Sequence, residues 1–261
     1  ADGGNLARAF GASAQPGAAR ARDGAPDGGG AAPTAAIAAA IERELIDGAD
    51  LVIDLHSAGR AGAMPLFCGF LAGGDPAVAA GAEAAARAFA APLTWAHDEI
   101  GPGRTLSAAR DRGIPAIYVE AGGGGEVRGA ELDALVGGVL AVLADLGLTL
   151  PAPDMTAGLG PQEGPDPALL PASRRIVRGG DGDLDRSPAA PAAGTLVTRT
   201  RAGAAVRAGD PLAELFGDDD HDAPPTAIAA PCDGIVMYVR RDARVAAGDA
   251  IALIAPEPVA W

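Results

Sequence analysis

Apolar and polar positions over the first 150 residues follow two periods in alternation. From Thr34, Ile37, Ile41 and Leu45 recur every fourth position, as on one face of a helix, and Gly48 ends the pattern. Leu51-Val52-Ile53-Asp54-Leu55 then makes a nearly continuous apolar run, which predicts a short strand buried on both faces. The same reading predicts a strand over 64–70, an Ala-rich helix over 76–90, a strand over 92–96 and a short helix over 104–112. Residues 114–119 repeat the buried-strand pattern. The clearest helix covers 126–146, with Leu132, Leu135, Val136, Val139, Leu140 and Leu143 at its apolar positions. Residues 11–33 mix Gly, Ala, Pro, Asp and Arg without period and read as a long loop.

Strands alternating with helices predict an α/β domain over 1–150, built on a mostly parallel sheet flanked by helices. In such sheets the site of chemistry lies beyond the carboxyl ends of the strands, where His56 and Glu120 both fall. After Gly147 the texture changes. Pro and Gly crowd residues 151–171, so 151–186 reads as a linker and connecting segment, followed by short β-like stretches over 187–261. That last region repeats itself. Pro191-Ala-Ala-Gly194 matches Pro231-Cys-Asp-Gly234, and Val206-x-x-Gly209-Asp210 matches Val245-x-x-Gly248-Asp249, about 40 residues further on. Two copies of such a unit suit two interlocking sheets, and the pattern resembles the barrel-sandwich fold of biotinyl and lipoyl domains.

Composition narrows the function. The net charge is −14, every one of the 20 basic residues is Arg, and no basic run stands out, which argues against nucleic acid and anionic membranes as partners. Without Lys there is no Lys-based chemistry and no attachment point for biotin or lipoate, so a carrier role is excluded. Cys68 and Cys232 are far apart and suit reduced thiols, no apolar stretch is long enough to span a membrane, and no signal peptide is visible. A cytoplasmic location is the resulting expectation. The opening Ala1-Asp2-Gly3-Gly4-Asn5 reads as the interior of a domain, so further N-terminal sequence is expected.

Three short motifs stand in order: Asn5-Leu6-Ala7-Arg8-Ala9-Phe10-Gly11, Asp54-Leu55-His56-Ser57 and Glu120-Ala121-Gly122-Gly123. Singly each is weak; together, from residue 3 to about 148, they resemble the succinylglutamate desuccinylase/aspartoacylase family, relatives of the zinc carboxypeptidases. The resemblance implies a zinc hydrolase cleaving the amide of a small acidic N-acyl substrate, with the C-terminal β region typical of such proteins. It places His56 on a zinc ligand, Glu120 on the general base, and Arg8, with Asn5, on the substrate-binding segment. Arg110, ten residues before Glu120, falls near a further substrate-binding arginine, with Arg112 as its competitor. The chemistry agrees with the residue types. A catalytic zinc takes three protein ligands and leaves a position for water. A carboxylate then moves the proton from water to the leaving amine, and the guanidinium fork suits a substrate carboxylate.

The departures are specific. The family's His-x-x-Glu pair of zinc ligands has no counterpart here, Ala7 replaces an Asn, and no Pro follows Phe10. His97 and His221 are the remaining histidines and read as solvent-facing, His221 within the acidic stretch Asp218–Asp222. The chain is therefore expected to bind zinc poorly as it stands. The alternative is a catalytically degenerate homologue that binds or regulates. Homo-oligomerisation, the acyl group and the amine portion stay open.

Overall fold

The computed structural model of the protein describes residues 2–11, 32–148, 174–180, 182–184, 187–218 and 223–261. The expected loop over 11–33 and linker over 151–171 lie almost wholly outside these residues, as does His221. The large sheet is assembled from β1 (Val52–Ser57), β2 (Gly62–Leu71), β3 (Leu93–His97), β4 (Ala116–Gly123), β5 (Arg175–Arg178) and β13 (Val259–Ala260), in the order β1-β4-β2-β3-β5-β13. Pairs β1–β4, β2–β3 and β3–β5 are parallel, while β2–β4 and β5–β13 are antiparallel. The architecture is mixed α/β with few helices.

Side chains alternate across a strand, so the register sorts residues onto two faces. One face carries Cys68, Phe70, Ala96, Ile117, Val119 and Ile176, which pack with Ala82, Ala85, Ala86 and Phe89 of α2 (Pro76–Phe89) and Val142 of α4 (Gly129–Asp145). The helices meet closely at Gly138, where an added Cβ would lie 2.4 Å from the Phe89 ring. The opposite face carries Asp54, His56, Tyr118, Glu120, Phe67, Trp95 and His97, as the paired residues show. It is this second face that bears the polar chemistry.

Each sequence-predicted element of the first 150 residues has its counterpart, with two differences of substance. The first helix, α1 (Pro33–Ile41), continues as a wider π turn over Glu42–Ile46 before Gly48. The strand β1 is not buried on both faces, because Leu55 is 47% exposed, and among the described residues it pairs with β4 alone. An apolar run reports a strand but not whether a neighbour lies on each side of it. A third feature has no signal in the sequence pattern. Arg175–Arg178, inside the segment read as a connector, forms β5 and extends the large sheet, its four residues being too few to stand out among flanking Gly and Pro.

The C-terminal strands are β6 (Gly194–Thr198), β7 (Ala205–Val206), β8 (Pro211–Gly217), β9 (Thr226–Ala229), β10 (Gly234–Arg240), β11 (Arg244–Val245) and β12 (Ala252–Ala255). The repeat in the sequence is a repeat in hydrogen bonding. Asp210 accepts from the Arg207 N–H at 2.8 Å, and Asp249 accepts from the Ala246 N–H at 2.9 Å. Gly209 and Gly248 precede them with φ of +91° and +86°, a conformation that favours glycine. The copies interlock: β7 pairs with β10, and β11 pairs with β6. This region has its own apolar cluster around Leu212, Leu215, Val236 and Ile251. It is nonetheless joined to the large sheet, because β10 pairs with β2 at Val239–Ala63 and β13 closes the edge of β5.

Candidate active site

On the polar face a cavity of about 690 Å³ opens, lined by residues from all parts of the chain. Its floor is the end of β1 and the facing stretch of β4, where His56 and Glu120 are register partners on parallel neighbours. Asp54 and Tyr118 occupy the next inward pair. His56 Nε2 lies 2.7 Å from an Asp54 carboxylate oxygen, which also accepts from the Thr105 hydroxyl. The Asp54 carboxylate raises the His56 pKa, and in return the His56 and Thr105 bonds outweigh burial to hold Asp54 below its ordinary value. With Nε2 directed at Asp54, Nδ1 is the other ring nitrogen of a histidine that lines the cavity.

Glu120 is the contrasting carboxylate. One of its oxygens, Oε2, is buried with no hydrogen-bond partner among the described residues. Desolvation pushes its pKa up to about 7 against the opposing attraction of His56. A carboxylate that titrates near neutrality in a partly dry cavity is suited to taking and returning a proton.

The Arg8 wall comes from the start of the described chain. Asn5 caps the short 3₁₀ turn Leu6–Arg8, its side-chain oxygen accepting from the Ala7 N–H at 3.0 Å. Asp2 anchors the same segment to α1 by accepting from the Thr34 N–H and hydroxyl, bonds that lower its pKa to about 2. Beyond the turn, Phe10 donates its N–H to Gly103 O, and Gly103 has its φ at +85° with the Arg8 carbonyl where a Cβ would stand. Asn5, Ala7 and Arg8 all line the cavity, as do Arg104 and Thr105 at the start of α3 (Thr105–Arg110).

Arg110 does not. It sits at the far end of α3, where its guanidinium pairs with Asp111 at 2.7 Å and bonds the Ile100 carbonyl. Arg112, its competitor, bonds Glu42 at 2.8 Å and also Asp47. The cavity arginine on this loop is Arg104, six residues earlier, paired with Asp183 at 3.5 Å. Counting back from Glu120 could not separate them, because only the first turn of α3 faces the cavity.

His97 also departs from expectation: it is 1% exposed rather than solvent-facing. Its Nδ1 lies 3.2 Å from the Gly180 carbonyl, so that nitrogen carries the proton, and Nε2 accepts from the Tyr118 hydroxyl at 2.7 Å. Gly69 makes this possible, since a Cβ there would stand 2.0 Å from the Tyr118 ring. With Trp95 and Phe67 they form an aromatic wall, roofed by Met237, Tyr238 and Leu253 of the C-terminal strands. These roof residues have no signal in the sequence that ties them to the site.

With this geometry in place, comparison with known proteins is decisive. The profile of the succinylglutamate desuccinylase/aspartoacylase catalytic domain matches residues 2–146. The chain belongs to this family. Its structure is similar to a product-bound ectoine utilization protein from Ruegeria pomeroyi, with 26% identity and a TM-score of 0.73, covering 97% of this chain and 67% of that one. A succinylglutamate desuccinylase/aspartoacylase from Rhodobacter sphaeroides gives 26% identity and a TM-score of 0.73, covering 98% of this chain and 68% of that one. A succinylglutamate desuccinylase from Silicibacter gives 25% identity over 97% of this chain and 67% of that one, at a TM-score of 0.73. No curated protein matches the chain. The family is one of deacylases and amidohydrolases. Among the described residues no helix is long and apolar enough to cross a membrane.

Zinc can be tested against the donors on the cavity floor. Among the described residues no three His, Cys, Asp or Glu side chains converge as a metal site. The Asp54–His56 pair does have the form of a single ligand, a ring oriented by a carboxylate through its other nitrogen. The described residues therefore fit one zinc ligand and do not complete a site.

Proposed function

We propose that the protein is a zinc-dependent deacylase that hydrolyses the amide bond of N-acyl amino acids or related small carboxylates. The observation that carries the reading is Glu120: a buried carboxylate with an unpartnered oxygen, beside His56 and in the same cavity as Arg8. In this reading His56 is one zinc ligand, and the other donors come from outside the described residues. Bound zinc supplies a Lewis acid that polarises the amide carbonyl. Glu120 accepts a proton from the attacking water and returns it to the departing amine nitrogen, so that the amine leaves neutral. Arg8 receives the substrate carboxylate, with Asn5 setting the turn that presents it. The aromatic wall and the residues from β10 and β12 exclude water and limit what enters, and residues 187–261 act as an unmodified β module in this role.

The test is hydrolysis by the full-length protein with added zinc, against a panel of N-acetyl and N-succinyl amino acids, read as amine release. Glu120→Gln is expected to keep substrate binding and lose about 10²–10⁴-fold in kcat, the usual contribution of a general base. A Gln variant with normal turnover moves the base elsewhere. A wild-type protein that binds these substrates but hydrolyses none favours the degenerate, binding role.

A further inference from the structure

A second cavity lies on the far side of Met64, which lines both. It measures about 570 Å³ and opens between the first residues of β2, β3 and β5 and the C-terminal strands. We propose that it is a binding site for a small oxyanion bearing several negative oxygens, a phosphate or a polycarboxylate, separate from the Glu120 cavity.

The charge balance of its lining is the first argument. Arg128, Arg175, Arg201 and Arg241 line it against one carboxylate, Glu131. Glu131 is engaged by Arg128 at 3.2 Å, so the cavity keeps the charge of three further arginines. None of Arg175, Arg201 and Arg241 has a side-chain carboxylate partner among the described residues. In this chain of net charge −14 other arginines, such as Arg43, Arg87, Arg199 and Arg244, are held by carboxylates.

The second argument is an unmet donor. Arg175 is fixed at the start of β5, beside Leu93 in the register and with its own N–H on the Pro92 carbonyl. Its Nε is buried and without a hydrogen-bond partner among the described residues. Buried donors in folded proteins are nearly always satisfied, and a planar guanidinium is matched best by an oxyanion that takes two of its N–H groups together. Thr200 adds a neutral hydroxyl to the same wall, while that of Thr198 donates to the Arg240 carbonyl at 3.3 Å. Phosphate and carboxylate share the chemistry that this wall recognises.

Isothermal titration of the full-length protein with inorganic phosphate and, separately, with citrate, at constant ionic strength, tests the site. Saturable binding of one ion per chain is expected for at least one probe, and which of the two binds assigns the oxyanion. The affinity should fall tenfold or more in Arg175→Gln/Arg201→Gln, with a smaller loss in Arg201→Gln alone, whose exposed position spares the fold. Arg8→Ala and Arg43→Gln should leave it unchanged. Absence of saturable binding by the wild type overturns the proposal, as does full affinity in either Gln variant with a native circular dichroism spectrum. Loss of binding in Arg8→Ala also overturns it, by assigning the ion to the Glu120 cavity. None of these outcomes depends on whether the protein hydrolyses an amide.

Discussion

Two carboxylates a few residues from the same strand ends have opposite environments, and the difference divides their roles. Asp54 is satisfied by His56 and Thr105, whereas Glu120 is desolvated with an unpartnered oxygen. The upward shift of Glu120 from 4.5 to about 7 makes it a stability liability. For an acid whose folded pKa is raised, the cost is absent below the unfolded value, grows as pH rises, and is complete above the folded value. At 1.36 kcal/mol per pKa unit the full cost is about 3 kcal/mol. In metal-free protein, Glu120→Gln should therefore be stabilised relative to wild type at pH 8 and gain little at pH 5, measured by urea unfolding. Equal gains at both pH values would mean that Glu120 is not the group that titrates. Arg8→Ala should weaken acidic substrates by about 1.5–3 kcal/mol, the worth of a charged hydrogen bond, read as a rise in KM of roughly ten- to a hundredfold. Neutral amides that lose as much would give Arg8 another role.

At the scale of elements, close packing rather than propensity sets the key positions. Gly138 lies in the middle of α4, where Ala would normally improve a helix by about 0.8–1.0 kcal/mol. Its Cβ would meet the ring of Phe89, which is 4% exposed and enclosed by the core of α2 and the sheet. Overpacking of this kind costs about 1–3 kcal/mol, so the clash outweighs the propensity. Gly138→Ala is expected to destabilise the protein by up to about 2 kcal/mol in a urea titration, the upper end of the difference of those two terms. A net stabilisation would show that α2 and α4 separate freely. The same logic explains Gly69, which cedes its side-chain space to the Tyr118 ring and so permits the bond to His97. Neither glycine announces its partner in the sequence, where both look like weak points in otherwise regular elements.

For the whole molecule, the two halves read from composition share one hydrogen-bonded sheet. Strand β10 is common to both, β13 returns from the end of the chain to cover β5, and Ile235 and Met237 pack with Phe67, Trp95 and Val177. Unfolding of one half would bare the apolar surface of the other. Calorimetry should accordingly show a single cooperative transition, with calorimetric and van't Hoff enthalpies in agreement. Two resolved transitions would mean that the shared strands contribute little.

Local pattern was enough for the elements of the first 150 residues, for the motifs holding Arg8, His56 and Glu120, and for the internal repeat. Those features rest on interactions near in sequence: periodicity, strand-end position, and the Gly-Asp turn that Asp210 and Asp249 each close. Tertiary structure alone decided that Arg104 rather than Arg110 lines the cavity, that His97 is buried against Tyr118, and that Tyr238 and Leu253 form the roof. It also decided that, among the described residues, β1 has one strand neighbour and the buried Arg175 Nε has no hydrogen-bond partner beside two other arginines. Each of these depends on which strand lies beside which and on the direction a side chain takes from it, and such long-range pairing leaves no local trace along the chain.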